Sequence, residues 1–394
     1  MSAPTTGDLT ARVRRRLTDS PTSNSRAAVV SAVRADPHAG VLGDTRVLHL
    51  ADRVHSDLVG AGPLAPLLAD PAVTDVLVNG VEVWVDRGAG PQPAPVRFGS
   101  PEEVRALAQR LAAACGRRLD DGCPYADARL PDGTRVHAVL PPLAVSGPYL
   151  SLRTFRQRPL TLPELVACGT LTPPVAALLR AVVAARLAFL IVGGTGSGKT
   201  TLLGTLLGLV PAHERIVIVE DAAELRPDHR HVLALQARTA NVEGVGAVGL
   251  RELVRQALRM RPDRLVVGEC RGAEVVEMLA ALNTGHDGGA GTLHANAIGD
   301  VPARLAALGL LGGLDRAALF AQATAALHVV IHVHRREQRR HVRSVGLLTA
   351  DAAAGAVVRP AWDAHRGVGP AAGDLAALLR QRDVTPPALL REPR

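Results

Sequence analysis

The pattern of apolar positions along the chain changes near its middle. From about residue 175 onward, short runs of consecutive apolar residues alternate with stretches of helical periodicity. Strands that are apolar at every position are typical of a parallel sheet covered by helices on both faces, which predicts an α/β fold for this part. The predicted strands span residues 187–192, 215–220, 265–268 and 292–294.

In the part of the chain before residue 157, apolar and polar residues alternate. Residues 74–88 are predicted to form a hairpin, because Asn79-Gly80 is a two-residue turn signal between two alternating segments. A second hairpin is predicted to turn at Asp132-Gly133, and a helix is predicted to begin after Ser100. We therefore predict a smaller α+β domain ahead of the α/β domain.

These differences predict five segments. A mobile arm rich in Ser, Thr, Pro and Arg covers residues 1–45, and the α+β domain covers 46–157. A linker punctuated by prolines, 158–175, leads into the α/β domain at 176–350, and residues 351–394 are predicted to be a tail with short helices. No apolar stretch is long enough to cross a bilayer, and the first residues lack a signal-peptide pattern. We therefore expect a cytoplasmic protein that is at most peripheral on a membrane.

Composition narrows the classes of function. The hydrophobic fraction of 47% excludes a mainly disordered chain, and the aromatic fraction of 2% disfavours a base-stacking nucleic-acid platform. A net charge of +8 favours acidic partners such as nucleotides, nucleic acids or anionic lipids. Of the 45 basic residues only Lys199 is a lysine, which marks a position where a compact ammonium is required. The four cysteines form no CxxC pair, so a zinc ribbon is excluded.

A complete phosphate-binding loop motif follows the predicted strand 187–192. Its glycines let successive backbone N–H groups converge on phosphate oxygens, at the N-terminus of the next helix. In this motif the lysine, here Lys199, bridges the β- and γ-phosphates of ATP, and the hydroxyl of Thr200 binds Mg²⁺. The residues predicted to bind nucleotide are Gly193, Gly194, Thr195, Gly196, Ser197, Gly198, Lys199, Thr200 and Thr201.

Carboxylates follow two further predicted strands. Glu220, with Asp221 and Glu224 close behind, lies where a parallel strand ends, and a role in binding metal through water competes with capping of a helix. Glu269 ends the strand in "RLVVGEC" and is predicted to polarise the attacking water or hold the Mg²⁺ shell through water. Both positions are therefore candidates for catalysis and for the metal.

Histidines and arginines provide weaker signals. His294 ends a short predicted strand behind a glycine-rich loop, where it could contact the γ-phosphate, although isolated histidines are usually structural. His328, His332 and His334 are predicted to lie on a strand that faces solvent, and the basic run 334–343 to be a solvated hairpin turn rather than a lipid or nucleic-acid patch. Arg135 and Arg153 lie on predicted strands, where surface ion pairs are the alternative to phosphate contacts.

The motifs taken together resemble a known family. "GGTGSGKTT", "RIVIVEDAAEL", "LVVGECRG" and "TGHDGGAGTLHANA" occur in the order of the Walker A, Asp, Walker B and His boxes of the type II/type IV secretion traffic ATPases. "LLADPAVTDVLVNG", "DARLPDGTRVHAVLPPLA" and "LSLRTF" resemble the tight-adherence (Tad) pilus branch, also known as conjugal-transfer-associated ATPases. The tetracysteine zinc module of the type II secretion and type IV pilus extension branches is missing.

The resemblance implies a RecA-like P-loop motor domain behind the α+β domain, assembled as a homo-hexamer with ATP bound between domains. It implies that Glu269 is the catalytic Walker B glutamate, that Glu220 and His294 act in their boxes, and that Arg135 and Arg153 reach the γ-phosphate. It also implies docking on a polytopic inner-membrane platform protein.

We therefore expect an Mg²⁺-dependent ATPase that powers pilus assembly or protein secretion at the cytoplasmic membrane. A conjugation-type DNA-translocation ATPase is the first alternative, since the chain is basic, although its arginines are scattered, which disfavours nucleic acid without excluding it. A nucleotide switch without hydrolysis is the second alternative, and the presence of both Glu220 and Glu269 argues against it.

Overall fold

The computed structural model describes residues 26–36, 47–48, 50–51, 54, 60–154, 159–238, 245–337 and 339–391. The chain divides into two compact units, residues 1–156 and residues 157–394. Most of the predicted arm, 1–45, lies outside the described residues, and within it Arg26–Arg34 form helix α1.

Unit 1 contains a six-stranded antiparallel sheet in the order β3-β2-β1-β6-β5-β4. Helix α3 begins after Ser100, whose hydroxyl accepts a hydrogen bond from the backbone N–H of Glu103. The strands are β1 (Asp75–Asn79), β2 (Glu82–Asp86), β3 (Pro91–Arg97), β4 (Tyr125–Arg129), β5 (Arg135–Val139) and β6 (Tyr149–Arg153). Besides α1, its helices among the described residues include α2 (Ala65–Ala69) and α3 (Pro101–Ala114).

The first hairpin turns one residue later than the sequence predicts. Asn79 pairs with Glu82, so the two loop residues are Gly80 and Val81 rather than Asn79 and Gly80. Gly80 has a φ of +61°, and a Cβ there would lie 3.3 Å from the Ser146 carbonyl oxygen, so glycine suits the loop position. The shift keeps Asn79 in the strand ladder.

Unit 1 has its own core, built by period-2 burial along the strands. Val76 and Val78 of β1 and Leu150 and Leu152 of β6 are all at most 1% exposed, and they share one apolar cluster with Leu107 of α3. One face of the sheet is therefore covered by the helix, as expected for an α+β unit.

Unit 2 contains a nine-stranded sheet in the order β15-β14-β13-β12-β7-β11-β10-β8-β9. The six strands from β12 to β9 are parallel, and β13, β14 and β15 extend the sheet antiparallel to its neighbours. The strands are β7 (Phe189–Val192), β8 (Ile216–Glu220), β9 (Val232–Gln236), β10 (Arg264–Cys270), β11 (Ala290–Leu293), β12 (Val329–Arg336), β13 (Arg339–Asp351), β14 (Gly355–Asp363) and β15 (Gly367–Val368).

Helices cover both faces of this sheet. Phe189 and Ile191 of β7 belong to one apolar cluster, and Leu190 and Val192 belong to the other, so successive residues of the strand face opposite layers. This explains the uninterrupted apolar runs in the sequence. The helices are α4 (Leu162–Ala167), α5 (Pro173–Ala184), α6 (Lys199–Leu207), α7 (Leu250–Leu258), α8 (Glu274–Leu282), α9 (Val301–Leu311), α10 (Arg316–Ala326) and α11 (Ala372–Gln381).

Two predicted segments differ from the structure. The predicted linker, 158–175, contains α4 and the start of α5, and Leu162, Leu165 and Leu171 lie in the core. The predicted tail, 351–394, contributes β14, β15 and α11 to the sheet and its cover. Prolines explain both differences, because they suggest irregular chain where helices and a strand occur. Pro163 and Pro173 lie in the first turns of helices, and Pro360 lies in β14 beside a β-bulge.

Among the described residues, no single helix is both long and apolar enough to cross a membrane. Two consecutive helical segments, 298–311 and 316–326, reach the required length and composition together, but the chain bends by 119° between them.

Candidate functional site

The phosphate-binding loop connects β7 to α6, at the carboxyl end of the parallel strands. Space around it is restricted: a Cβ on Gly193 would lie 2.2 Å from the Val333 carbonyl oxygen and 2.7 Å from Ser197 Oγ. Gly198, with a φ of +97°, directly precedes the helix. The loop therefore has the backbone-lined form that phosphate groups require, with a helix N-terminus behind it.

Lys199 is held over this loop. Its ammonium is buried and donates hydrogen bonds of 3.0 Å to the carbonyl oxygens of Gly193 and Gly194. Burial lowers the pKa of Lys199, an effect that the nearby Glu269 carboxylate opposes and Arg271 increases. The only lysine of the chain is thus a partly desolvated cation at the loop.

Ser197 gives an independent sign that the loop suits a polar ligand. Its side chain is 2% exposed, and its Oγ has no hydrogen-bond partner among the described residues. A buried hydroxyl of this kind carries a cost unless a polar group meets it. Of the remaining loop residues, Gly194, Thr195 and Thr201 are exposed, whereas Thr200 is half-buried in the first turn of α6. A polyanionic ligand therefore fits the donors of this loop.

Glu269 and His294 meet beside the loop. The Glu269 Oε1 lies 2.5 Å from His294 Nε2, and its Oε2 contacts the guanidinium of Arg271. Pairing between β10 and β11 is irregular between Val267 and Cys270, so the strand at Glu269 departs from the regular ladder. A bulge of this kind redirects a side chain.

The charges of this site are mutually perturbed. Burial lowers the pKa of His294, Lys199 and Arg271 lower it further, and Glu269 opposes them. Because Glu269 also acts on the pKa of Lys199, these groups lie within electrostatic reach of one another. The structure therefore brings together Lys199, Glu269 and His294, which come from three separate segments of the sequence.

Glu220 lies deeper in the sheet than Glu269. It is 4% exposed, and its carboxylate accepts hydrogen bonds from the backbone N–H groups of Glu224 and Leu225, at 3.1 Å each to Oε1. A Cβ on Gly268 would lie 2.4 Å from Glu220 Cγ, so glycine at the end of β10 gives this side chain room. Glu220 thus anchors the loop after β8, and its predicted role in binding metal stays a prediction.

In unit 1, Arg135 and Arg153 lie directly opposite each other on β5 and β6. Arg129 on β4 is the next partner of Arg135, and Asp75 on β1 is the next partner of Arg153. Cross-strand partners share a face of the sheet, so three arginines form a row at one end of it. The two predicted arginines are therefore neighbours, and Arg129 joins them. Their predicted contact with the γ-phosphate stays a prediction.

The basic hairpin between β12 and β13 is solvated as predicted, since the described residues from His334 to Arg340 are all exposed, and it also contacts the P-loop. Because β12 is paired with β7 and continues past it, the hairpin extends to the P-loop. The Arg340 Nε donates a hydrogen bond of 3.1 Å to the Gly196 carbonyl oxygen. In the sequence, the length of β12 could have indicated that this hairpin extends beyond the sheet. The pairing of β12 with β7 is a long-range contact that no local pattern records.

Two of the three histidines on or next to β12 differ from the prediction. His332 is 6% exposed and His328 is half-buried, whereas His334 is exposed as predicted. The reason is that β12 lies inside the sheet between β7 and β13. Burial lowers the pKa of His332 to about 4, and His334 and Arg343 add to the effect. No cluster of three or more His, Cys, Asp or Glu side chains suited to a metal ion occurs in the described parts of the chain.

A second charged cluster lies at the amino end of β10. Arg264 is 1% exposed, its Nε lies 2.6 Å from Glu214 Oε2, and its other nitrogens donate to the carbonyl oxygens of Val183 and Gly288. Arg186 contacts the same carboxylate at 3.0 Å. Sequence reasoning missed this buried network, since nothing local distinguishes Arg264 from the other arginines.

Known proteins resemble this chain over most of its length. A family model described as "Type II/IV secretion system protein" matches residues 57–353. A Mycobacterium tuberculosis protein provisionally named a conjugal transfer protein is 54% identical over 351 residues, which cover 87% of this chain and 99% of that protein. The conjugal transfer protein TrbB of Rhizobium radiobacter is 33% identical, covering 59% of this chain and 71% of its own.

A solved structure has a similar fold. The ATPase DotB of Legionella pneumophila aligns with a TM-score of 0.51 and 19% identity, covering 73% of this chain and 80% of its own. Together with the parallel sheet and its P-loop, this similarity supports a RecA-like unit that follows a smaller N-terminal unit along the chain.

Proposed function

Because the chain belongs to the type II/type IV secretion system protein family, we propose that it is an ATP-hydrolysing motor that powers pilus assembly or protein secretion at the cytoplasmic membrane. The observation that carries the proposal is the convergence of Lys199 on the P-loop with Glu269 and His294. These groups provide a cation for the phosphates, a carboxylate for the water and a histidine that holds the carboxylate.

In the proposed reaction, backbone N–H groups of residues 194–200 and the ammonium of Lys199 bind the phosphates. The lysine exchanges its two carbonyl partners for phosphate oxygens, which are stronger acceptors because they are charged. The hydroxyl of Ser197 also gains a partner in the loop. Binding therefore relieves the desolvation of two buried polar groups.

Glu269 is proposed to orient the attacking water and accept its proton. Its contacts with His294 and Arg271 hold the carboxylate in place. Thr200 would hold Mg²⁺ directly, with Glu220 and Glu269 acting through water, and the metal would neutralise charge that develops on the phosphates. As in the family resemblance, Arg135 and Arg153 are proposed to supply further positive charge for the transition state.

The finer proposals follow the family. We propose a homo-hexamer of the Tad branch, docked on a polytopic membrane platform protein, at the cytoplasmic side of the membrane. A DNA-translocation ATPase is the second candidate, because the relative that is 54% identical over 87% of this chain carries a name linked to conjugal transfer.

The test is steady-state phosphate release by the full chain, alone, with acidic liposomes and with DNA. We expect turnover that needs Mg²⁺ and rises with liposomes, and we expect Glu269→Gln to lower it at least about 100-fold while ATP still binds. Glu252→Gln, the same substitution at an exposed position of α7, serves as the matched control.

Other outcomes separate the candidates. Stimulation by DNA alone favours the translocase. ATP binding without turnover, with and without liposomes and DNA, contradicts the motor and favours a switch. Full turnover in Glu269→Gln moves the proton acceptor elsewhere, with Glu220 as the next variant.

A further inference from the structure

The β12–β13 hairpin lies against the P-loop at three points. The Arg340 Nε donates to the Gly196 carbonyl oxygen, a Cβ on Gly198 would lie 3.1 Å from Arg340 Cδ, and the Val333 carbonyl oxygen closes on Gly193. Hairpin and loop are therefore in direct contact at Gly193, Gly196 and Gly198.

The contact with Gly196 fixes the orientation of a peptide group. The C=O and N–H of one planar peptide unit point in opposite directions, so an arginine that holds the Gly196 oxygen on the hairpin side turns the Ser197 N–H to the other side. That N–H makes a long bond of 3.4 Å to the Gly194 carbonyl oxygen, across the loop. It is thereby presented to the loop interior, where a phosphate group would accept from it.

The charge of the hairpin concentrates beside the loop. Arg335 and Arg340 are directly opposite each other, and so are Arg336 and Arg339. Like charges opposite each other are unfavourable, and a bound anion lowers that cost. A Cβ on Gly196 would lie 3.5 Å from an Arg335 nitrogen, so the Arg335–Arg340 pair is the one that borders the P-loop. Because side chains alternate along a strand, the Arg336–Arg339 pair is on the other face.

We propose that this hairpin is a wall of the nucleotide site. Arg340 is a positioning residue that orients the Gly196–Ser197 peptide for phosphate binding, and the Arg335–Arg340 pair attracts the triphosphate of the nucleotide. The inference rests on the proposed function, since it assigns further residues to the same ATP site.

The first test needs no nucleotide. Hydrogen exchange of the peptide covering residues 194–200 is measured in the full chain and in Arg340→Ala, Arg340→Lys and Arg339→Ala. We expect exchange about 10-fold faster in Arg340→Ala, near wild type in Arg340→Lys, which retains a donor, and unchanged in Arg339→Ala. Equal exchange in Arg340→Ala and Arg339→Ala overturns the positioning role.

The second test compares two double variants of equal net charge. The dissociation constant for ATP is measured with a fluorescent ATP analogue. We expect Arg335→Ala/Arg340→Ala to bind about 10-fold or more weakly, and Arg336→Ala/Arg339→Ala to stay within about 2-fold of wild type. Equal losses in both overturn the assignment of one face, because only long-range attraction then remains. A wild-type chain that binds no ATP overturns the proposed function and this part of the inference, whereas the exchange result stands by itself.

Discussion

The two ends of strand β10 carry clusters of charge that differ in kind. At the amino end, the guanidinium of Arg264 is buried and three of its nitrogens are hydrogen-bonded, two of them to Glu214. At the carboxyl end, Glu269 and His294 are partly exposed and share the site with Lys199. The ends are about 17 Å apart, since five residues separate Arg264 from Glu269 at roughly 3.3 Å each. One cluster is complete within the protein, whereas the other is arranged for a ligand.

This difference shows why burial of charge alone does not identify a functional site. Both clusters contain a buried cation beside a carboxylate. At the carboxyl end, burial lowers the pKa of both Lys199 and His294, and the Glu269 carboxylate opposes the shift in each, which is typical of binding and catalytic sites. Four further variants test this reading, from the largest expected effect to the smallest.

The largest effect is expected from Arg264→Met. The variant leaves Glu214 buried with Arg186 as its remaining charged partner, and an undercompensated buried carboxylate costs about 3–5 kcal/mol of unfolding free energy. Denaturant unfolding measures the loss. The double variant Arg264→Met/Glu214→Met should recover more than half of the lost unfolding free energy, because it leaves neither charge of the pair buried alone. A loss below about 1 kcal/mol in the single variant would contradict the interpretation that the amino-end cluster is complete within the protein.

Lowering the pH should reduce the free energy of unfolding through His332, which lies on β12 opposite the last residue of β7. Its folded pKa of about 4 lies below an unfolded value of about 6.5, so between these pH values the unfolded chain binds the proton and the folded chain does not. Stability therefore falls as the pH drops below about 6.5, and the loss is complete below about 4, at about 3 kcal/mol at most. Unfolding of His332→Gln should lack this component. The exposed control His213→Gln should retain it, and a wild-type profile in His332→Gln would refute the prediction.

Lys199→Met removes a buried cation from the other cluster, as Arg264→Met does from the first. Here the change in unfolding free energy should be about 1 kcal/mol or less, because the cost of burying the ammonium offsets its two hydrogen bonds, and Glu269 keeps His294 and Arg271. ATP binding should be lost. A destabilisation as large as that of Arg264→Met would remove the distinction between the clusters.

The smallest effect is expected from Arg382→Ala, at the rim of the amino-end cluster. Its pair with Asp287 is 2.8 Å long, but the two side chains are 34% and 42% exposed. Such a pair contributes about 0.5 kcal/mol or less, and salt screens it. Denaturant unfolding at low and high salt should show a small difference that disappears. A loss of several kcal/mol would mean that exposure does not decide the strength of these pairs.

Much of this organisation could be predicted from local sequence. The apolar runs gave β7, β8 and β10 to within two residues at each end, and the glycines before Lys199 gave the P-loop. These features depend on short-range rules: strands buried on both faces are apolar throughout, and a tight phosphate loop needs glycine. The α/β class with its smaller α+β unit is confirmed for the same reason.

Features that depend on long-range pairing were missed. Strand β14 falls in the predicted tail, because Gly355 and Pro360 are unfavourable in strands, and its pairing with β13 and β15 makes it one. The contact of Arg340 with Gly196 joins residues 144 positions apart, so no local pattern records it. The buried pair of Arg264 and Glu214 is similar, since 50 residues separate its members.

The position of Lys199 also allows local opening of the P-loop to be followed by proteolysis. A protease that cuts only after lysine has one target bond in this sequence, between Lys199 and Thr200. That bond lies in the first turn of α6, and the lysine that the enzyme must recognise is buried and tied to two carbonyl oxygens. Cleavage into two fragments of about equal size thus requires the P-loop to open, and where opening and closing are faster than cleavage, its rate reports the population of the open loop.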